Sequence, residues 1–412
     1  MALLRAFQAA ARERHRVSGL LVRSADAGEG ADSRAFCAGG DVKSLLGLLL
    51  EGDCGGGEGR EAIARSFLTL EYSALLALKA LSAVRPVVTV GSGVVMGAGA
   101  GLFMGGSRRL VTETTTFAMP ECAIGICPDA GSTAFLSGVG RGTARFLSLT
   151  GARLGAAEAI SLGLATHAVP AWHIATLLEE MRTAGEHLEG VNGEVHLNSQ
   201  AISNAVQCNA AGTVAAIGDT CAPGSGEMLE RGEGWADFQS EVVDGIANSQ
   251  FLEGEMDRVF GGDALGPSDV AAALEGEKKK NPPASVWVDV VLEALSDGSQ
   301  SPSSQIIAAA LLDCGSRLRA SLDNQDAAGV RLFAEALRVE RDTVAALAAT
   351  ADFEEGVQCA IGERKGEAPS WSAPDWAAAA SRPEVAALLS TLGAIPYGKA
   401  AARRPKPKGF GS

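Results

Sequence analysis

The chain has 412 residues, with 35 Lys and Arg against 49 Asp and Glu, a formal net charge of −14. That balance disfavours a partner recognised through a broad basic footprint, duplex nucleic acid above all, and leaves room only for a local basic contact to phosphate. Apolar residues make up 47% and charged residues 20%, enough to bury one large core or two ordinary ones and contrary to general disorder.

Residues 1–16 hold Arg5, Arg12, Arg14 and Arg16 with a single acid, Glu13. Leu3, Leu4, Phe7 and Ala11 share one helical face, so this segment reads as an ordinary first helix over 2–14 or as an organelle-targeting peptide, and not as a secretory signal. Val17–Val22 follows as a short strand. Arg34–Gly40 reads as a bend into a helical segment bearing Val42, Leu45 and Leu46, and 52–60 as a Gly-rich loop. The spacing of Ile63, Phe67, Leu70, Leu75, Leu78 and Leu81 predicts a helix that ends before Arg85-Pro86.

Val87–Gly106 is uncharged, yet its glycines break it into a strand at Val87–Val90, a turn at Gly91-Ser92-Gly93 and a small-residue helix from Met96 to Met104. A membrane-spanning helix is not expected there. A strand at Arg109–Val111 and a buried element at Thr116–Met119 precede the loop Pro120–Gly131. Helices are expected at Ala144–Leu149 and Ala156–Leu162. This alternation of strand and helix predicts an α/β core over residues 1–175.

From Thr176 helical patterns dominate, so 176–400 reads as a mainly helical C-terminal region with a variable insertion at 188–234. Phe238–Phe260, Val270–Leu274, Ile306–Leu312 and Leu332–Ala349 are its helical segments. Lys278-Lys279-Lys280 followed by Asn281-Pro282-Pro283 reads as a solvated break, with a phosphate contact as the alternative. Residues 401–412 read as a flexible tail.

The eight cysteines contain no CxxC pair and the five histidines form no group with them, which points to a reducing compartment and no metal site. Cys37, Cys122 and Cys127 read as small buried residues.

Three loops carry chemical content. AFCAGGD at Ala35–Asp41 places two glycines where a turn can leave an N–H free for a ligand oxygen, or merely turn. Met96–Gly101 is an alternation of small residues that lets a ligand approach the backbone, or lets a helix pack closely. Its sequence fits neither a phosphate P-loop nor GxGxxG. The loop from Met119 to Asp129 sets Glu121 and Asp129 eight residues apart among apolar neighbours, as an acid–base pair or as two caps.

The order and wording of AFCAGGD, VMGAGAGL, FAMPECAIGICPDAG and LTGARLGAAEAISLGLATHAV resemble the crotonase (enoyl-CoA hydratase/isomerase) superfamily over residues 2–175. Within it they are most similar to the branch that hydrolyses 3-hydroxyisobutyryl-CoA. DFEEGVQCAI near Asp352, with Trp371 and Asp375, adds a weaker match. The resemblance implies an α/β ClpP/crotonase core with a helical C-terminal region that covers the site, and a first strand pair that this chain does not carry. It implies an oxyanion hole built from the N–H groups of Gly40 and Ala98, the latter usually glycine, with Glu121 and Asp129 as catalytic acids and Glu71 as a further substrate contact. Glu71, Ala98, Glu121 and Asp129 then bind substrate.

The implied reaction is hydrolysis of a short hydroxyacyl-CoA thioester, 3-hydroxyisobutyryl-CoA, in valine breakdown. CoA is part of the substrate and no separate cofactor is implied. Hydratases place a second glutamate three positions beyond the oxyanion donor, where this chain has Gly101. The alternatives are an enoyl-CoA hydratase/isomerase and a noncatalytic acyl-CoA-binding paralogue. The family role suggests a mitochondrial location, with the cytoplasm or another organelle as alternatives, no membrane insertion, and a homo-oligomer as one assembly.

Overall fold

Ser92 and Gly93 (φ +69°) interrupt the uncharged run, and the chain crosses there from one sheet to another. The structure, a computed structural model, describes residues 2–12, 19–24, 34–51, 56–177, 254, 256–257, 267–280, 285–322 and 329–393. In order these form α1 (Ala2–Arg12), β1 (Leu20–Val22), β2 (Ala35–Cys37), α2 (Val42–Glu51), α3 (Gly57–Ser82), β3 (Val87–Gly91), β4 (Val94–Met96), α4 (Ala98–Met104), β5 (Arg108–Val111) and β6 (Thr116–Ala118). A 3-10 turn (Glu121–Ile124) leads to α5 (Ser132–Leu136), α6 (Arg141–Thr150), α7 (Ala156–Ser161) and β7 (His167–Ala168).

Successive strands alternate between two parallel sheets, ordered β1-β3-β5-β7 and β2-β4-β6. Each pass lays a strand in both sheets and returns through helix, because parallel neighbours need a crossover and helices to cover them. All five residues of β3 are buried. Between the layers, Phe36, Phe103, Phe117 and Phe135 stack edge to face with centroid separations of 6.2, 6.4 and 6.2 Å, a geometry that suits aromatic quadrupoles. The α/β core read from the sequence is present.

Three local expectations change. Ala35–Cys37 is a strand where a bend was expected, because it pairs with β4 (Ala35↔Val94), and three residues carry too little periodicity to show it. Helix α3 starts at Gly57, inside the expected loop 52–60; residues 52–55 lie outside the described set. The stretch from Glu121 holds a 3-10 turn and α5 follows it, both too short to read from pattern. Helix α1 is a core element: Phe7 and Ala10 pack with Leu78, Leu81 and Val87, which favours the ordinary-helix reading.

The C-terminal region is helical: α8 (Pro267–Lys280), α9 (Ser285–Ser296), α10 (Pro302–Ser321), α11 (Val330–Ala348), α12 (Ala351–Ala360), α13 (Trp376–Ala380) and α14 (Pro383–Gly393). The three lysines at 278–280 belong to the last turn of α8, a favourable place for cations at a helix C-terminus, and Lys278 Nζ pairs with Asp289 at 2.5 Å; Asn281-Pro282-Pro283, the rest of the expected break, lies outside the described residues. The expected insertion 188–234 and tail 401–412 lie outside the described residues, as does most of Phe238–Phe260.

Ser301 caps α10 by accepting from Ser304 N–H at 3.3 Å, with Pro302 at the first helical position, where its missing N–H costs nothing. Helix α11 lies along α3 and α5, α10 along α5 and α6, and α12 over the 3-10 turn. One apolar cluster joins Leu68, Leu75 and Ile126 of the first region to Leu311, Phe333, Leu337 and Phe353 of the second. Gly125 (φ +77°) and Gly356 permit this, since a Cβ on either would strike the facing backbone at Asp352 or Ile124. Among the described residues no helix is long and apolar enough to cross a membrane.

Candidate active site

Strands β2, β4 and β6 are parallel neighbours; a register shift between Ala35 and Cys37 leaves Cys37 opposite Val95, and Met96 lies opposite Ala118. Their carboxyl ends therefore release three loops side by side, the edge where open α/β sheets offer ligand sites. The loops carry Gly39-Gly40, Gly97-Ala98 and Glu121. Gly97 N–H donates to Ala118 O at 3.3 Å, tying the second loop to the third. Gly39 (φ +128°) and Gly97 (φ +56°) adopt backbone that L side chains disfavour.

Close approach explains the small residues. A Cβ on Gly97 would lie 2.9 Å from Glu121 Oε1 and 3.5 Å from Gly39 Cα, and one on Gly40 would lie 2.5 Å from Glu71 Oε2. The structure thus brings Gly40, Glu71, Glu121 and the Gly97-Ala98 step into one site. Ala98 is the first residue of α4, so its N–H has no intrahelical acceptor. Among the described residues neither Gly40 N–H nor Ala98 N–H donates to an acceptor.

The acids share that site in different surroundings. Glu121 is only 5% exposed and neither carboxylate oxygen has a hydrogen-bond partner among the described residues. Burial first, then the charge of Asp129, pushes it well above the ordinary carboxylate range. Asp129 accepts from the Tyr72 hydroxyl; burial raises it to about 6, against the downward pull of that bond. Glu71 is pushed up to about 8, by burial and then by Asp129, although part of its surface stays open. Divergent environments of this kind let neighbouring carboxyls take different protonation states.

Asp129 is followed by Ala130 (φ +57°) and Gly131 (φ +94°). A left-handed alanine costs about 1–3 kcal/mol and persists only where its surroundings hold it. Gly101 is one such neighbour: a Cβ there would collide with the Ala130 carbonyl oxygen. Position 101 therefore has no room for a side chain. We expect Gly101→Ala to destabilise the fold by about 1–3 kcal/mol, read as a lowered melting temperature, and Gly101→Glu to yield no folded hydratase.

Two site residues escaped the sequence reading. Tyr72 neighbours Glu71 on α3, and its hydroxyl orients Asp129. Glu340, on α11, is fully buried and accepts from Gly131 N–H and Thr133 N–H, each at 2.7 Å. Its signal was present: Phe333, Ala336, Leu337, Val344 and Leu347 define an apolar helical stripe that includes position 340. The Cys122 and Cys127 thiols are held well above their usual range by burial, so they are inert packing residues, as expected, whereas Cys37 is only half-buried. All five described cysteines are free.

A sheet-end site with two main-chain donors beside buried carboxylates fits the enoyl-CoA hydratase/isomerase class. Residues 25–230, half of the chain, match the family model described as Enoyl-CoA hydratase/isomerase, and the chain belongs to that family. Its curated relatives include probable 3-hydroxyisobutyryl-CoA hydrolase 3 of Arabidopsis thaliana, 38% identical over 152 residues, covering 37% of this chain and 38% of the relative. The mitochondrial 3-hydroxyisobutyryl-CoA hydrolase of Mus musculus is 34% identical over 176 residues, 42% of this chain and 43% of the relative. The match spans less than half of either relative's length. Among solved structures, an enoyl-CoA hydratase from Rhodobacter sphaeroides 2.4.1 superposes with a TM-score of 0.62 at 27% identity, over 95% of this chain and 90% of that one.

Proposed function

We propose that this chain hydrolyses the thioester of 3-hydroxyisobutyryl-CoA to 3-hydroxyisobutyrate and CoA. The observation that carries the reading is the contact of the Gly40 loop with Glu71 and of the Gly97-Ala98 loop with Glu121 at one sheet end. In this reading Gly40 and Ala98 N–H groups receive the thioester oxygen, whose charge grows as the carbonyl carbon becomes tetrahedral. Losing one such donor costs about 3–4 kcal/mol.

Glu121 stands beside that carbon. By one route its ionised form takes a proton from water as the water oxygen adds to carbon; collapse breaks the C–S bond and the proton passes to the departing CoA thiolate. By the other, Glu121 itself adds, CoA thiolate leaves, and water opens the resulting anhydride. A single turnover in oxygen-18 water that labels Glu121 establishes the second route with water adding at the Glu121 carbonyl of the anhydride, whereas label in the 3-hydroxyisobutyrate alone means that water added at the acyl carbon. Asp129, oriented by Tyr72, binds the acyl hydroxyl, and Glu71 supplies a further substrate contact. Local Arg or Lys groups meet the CoA phosphates.

The names of the curated relatives support the substrate, and that of the Mus musculus relative a mitochondrial location; a place in valine breakdown rests on the family resemblance alone. The test is release of free thiol from a panel of short acyl-CoAs, with 3-hydroxyisobutyryl-CoA expected to be the best substrate. The second reading, reversible hydration of an enoyl-CoA, is favoured by the solved hydratase that superposes over nearly the whole chain. Loss of the conjugated double bond of crotonyl-CoA without thiol release would establish it in place of hydrolysis. Binding of acyl-CoA by folded protein with neither reaction would mark a noncatalytic paralogue.

A further inference from the structure

We propose that Glu340 is a positioning residue: from the C-terminal helix α11 it clamps the backbone turn that aims Asp129, and it lies among the acids of the site. The inference rests on the acid roles assigned above. A carboxylate in the apolar stripe of a helix is costly unless it is bonded. Both oxygens of Glu340 are bonded: Oε2 accepts from Gly131 N–H, and Oε1 from Thr133 N–H and, at 3.4 Å, from the Ser132 hydroxyl.

Those donors belong to the three residues that follow Ala130, the left-handed alanine. Ser132 N–H closes the same turn onto Asp129 O at 2.9 Å. The clamp therefore fixes the backbone on the far side of Asp129, while Tyr72 holds its carboxylate. Through Glu340 the C-terminal region becomes a working part of the site, beyond covering it.

The titratable groups facing Glu340 are Asp129, Glu121 and Cys127 from the loop, Tyr72 from α3 and Cys314 from α10. Burial and the charge of Asp129 raise Glu340 to about 7, moderated by its bonds to Thr133 and Gly131. With no cation among these neighbours, ionisation of each acid opposes the next.

Glu340→Gln removes the charge and sets an amide NH2 against one backbone N–H. We expect kcat/KM to fall about 10–100-fold through displacement of Asp129, and the acid limb of its pH profile to move about one unit lower as the remaining acids ionise more easily. Glu340→Asp keeps the charge with a shorter reach, so its kcat should fall about tenfold with the limb unmoved. A purely structural Glu340 would lower the melting temperature of the Gln variant and leave the limb in place, which would overturn the proposal. Should the Gln variant not fold, the Asp variant decides, and unchanged kcat refutes positioning.

An infrared titration of the buried carboxyl bands in unliganded protein gives the same comparison without turnover. Bands that ionise at lower pH in Glu340→Gln support the proposal even if no thioester is cleaved. Thiol release with unmoved limb and bands defeats it while the hydrolase reading stands.

Discussion

Glu121→Gln will abolish thiol release, by about 10²–10⁴-fold or more, and will raise the melting temperature at pH 8 by more than at pH 5. Both effects come from one cause. The Glu121 carboxyl is buried with neither oxygen hydrogen-bonded among the described residues, so burial favours its protonated form in the unliganded fold and raises its pKa above that of the unfolded chain, about 4.3. The folded state then binds more protons than the unfolded one, and stability falls as pH rises from that value toward the raised folded-state pKa. Glutamine keeps the shape and removes this loss, a gain that is larger at pH 8 than at pH 5. A variant less stable at pH 8 than the parent would mean that the carboxylate is well solvated or paired. Differential scanning calorimetry at the two pH values makes the comparison.

Ala98→Pro will cut kcat by about 10²–10³-fold while leaving the fold nearly intact. Proline removes one amide donor, and the first helical position tolerates it because its N–H has no intrahelical acceptor. The helix itself has little freedom to move, since Gly99 sits against the Cys37 backbone so closely that a Cβ would collide. Ala98→Gly is the control: it restores the residue usual in the family, retains the donor and should keep full turnover. Activity within threefold of the parent in Ala98→Pro would remove Ala98 from the oxyanion hole.

Gly40, Ala98, Glu71 and Glu121 were legible because each lies in a motif with a strong backbone or charge signature, and their order along the chain resembled one family. Their convergence was not legible, because it depends on β2, β4 and β6 being parallel neighbours, and three-residue strands leave no period in the sequence. Asp129 was legible as an acid, whereas its control by Tyr72 and Glu340 was not. Those partners lie 57 and about 210 residues away in the chain, and the clamp is made to backbone amides that carry no side-chain identity. Gly101 was read from the resemblance as standing where hydratases carry a glutamate. Only packing against Ala130 shows why the site cannot regain one. Long periodic helices such as α3 and α11 were found close to their ends, while the three lysines of α8 were misplaced because charge alone does not distinguish a helix terminus from a loop.

The thioester carbonyl stretch of carbon-13-labelled 3-hydroxyisobutyryl-CoA bound to Glu121→Gln protein probes the two donors directly. Two amides converging on the oxygen will lower its frequency relative to the same thioester in water, and adding Ala98→Pro will reverse much of that shift. A bound carbonyl that absorbs as it does in water, with or without the proline, contradicts the convergence of Gly40 and Ala98 on the reacting group.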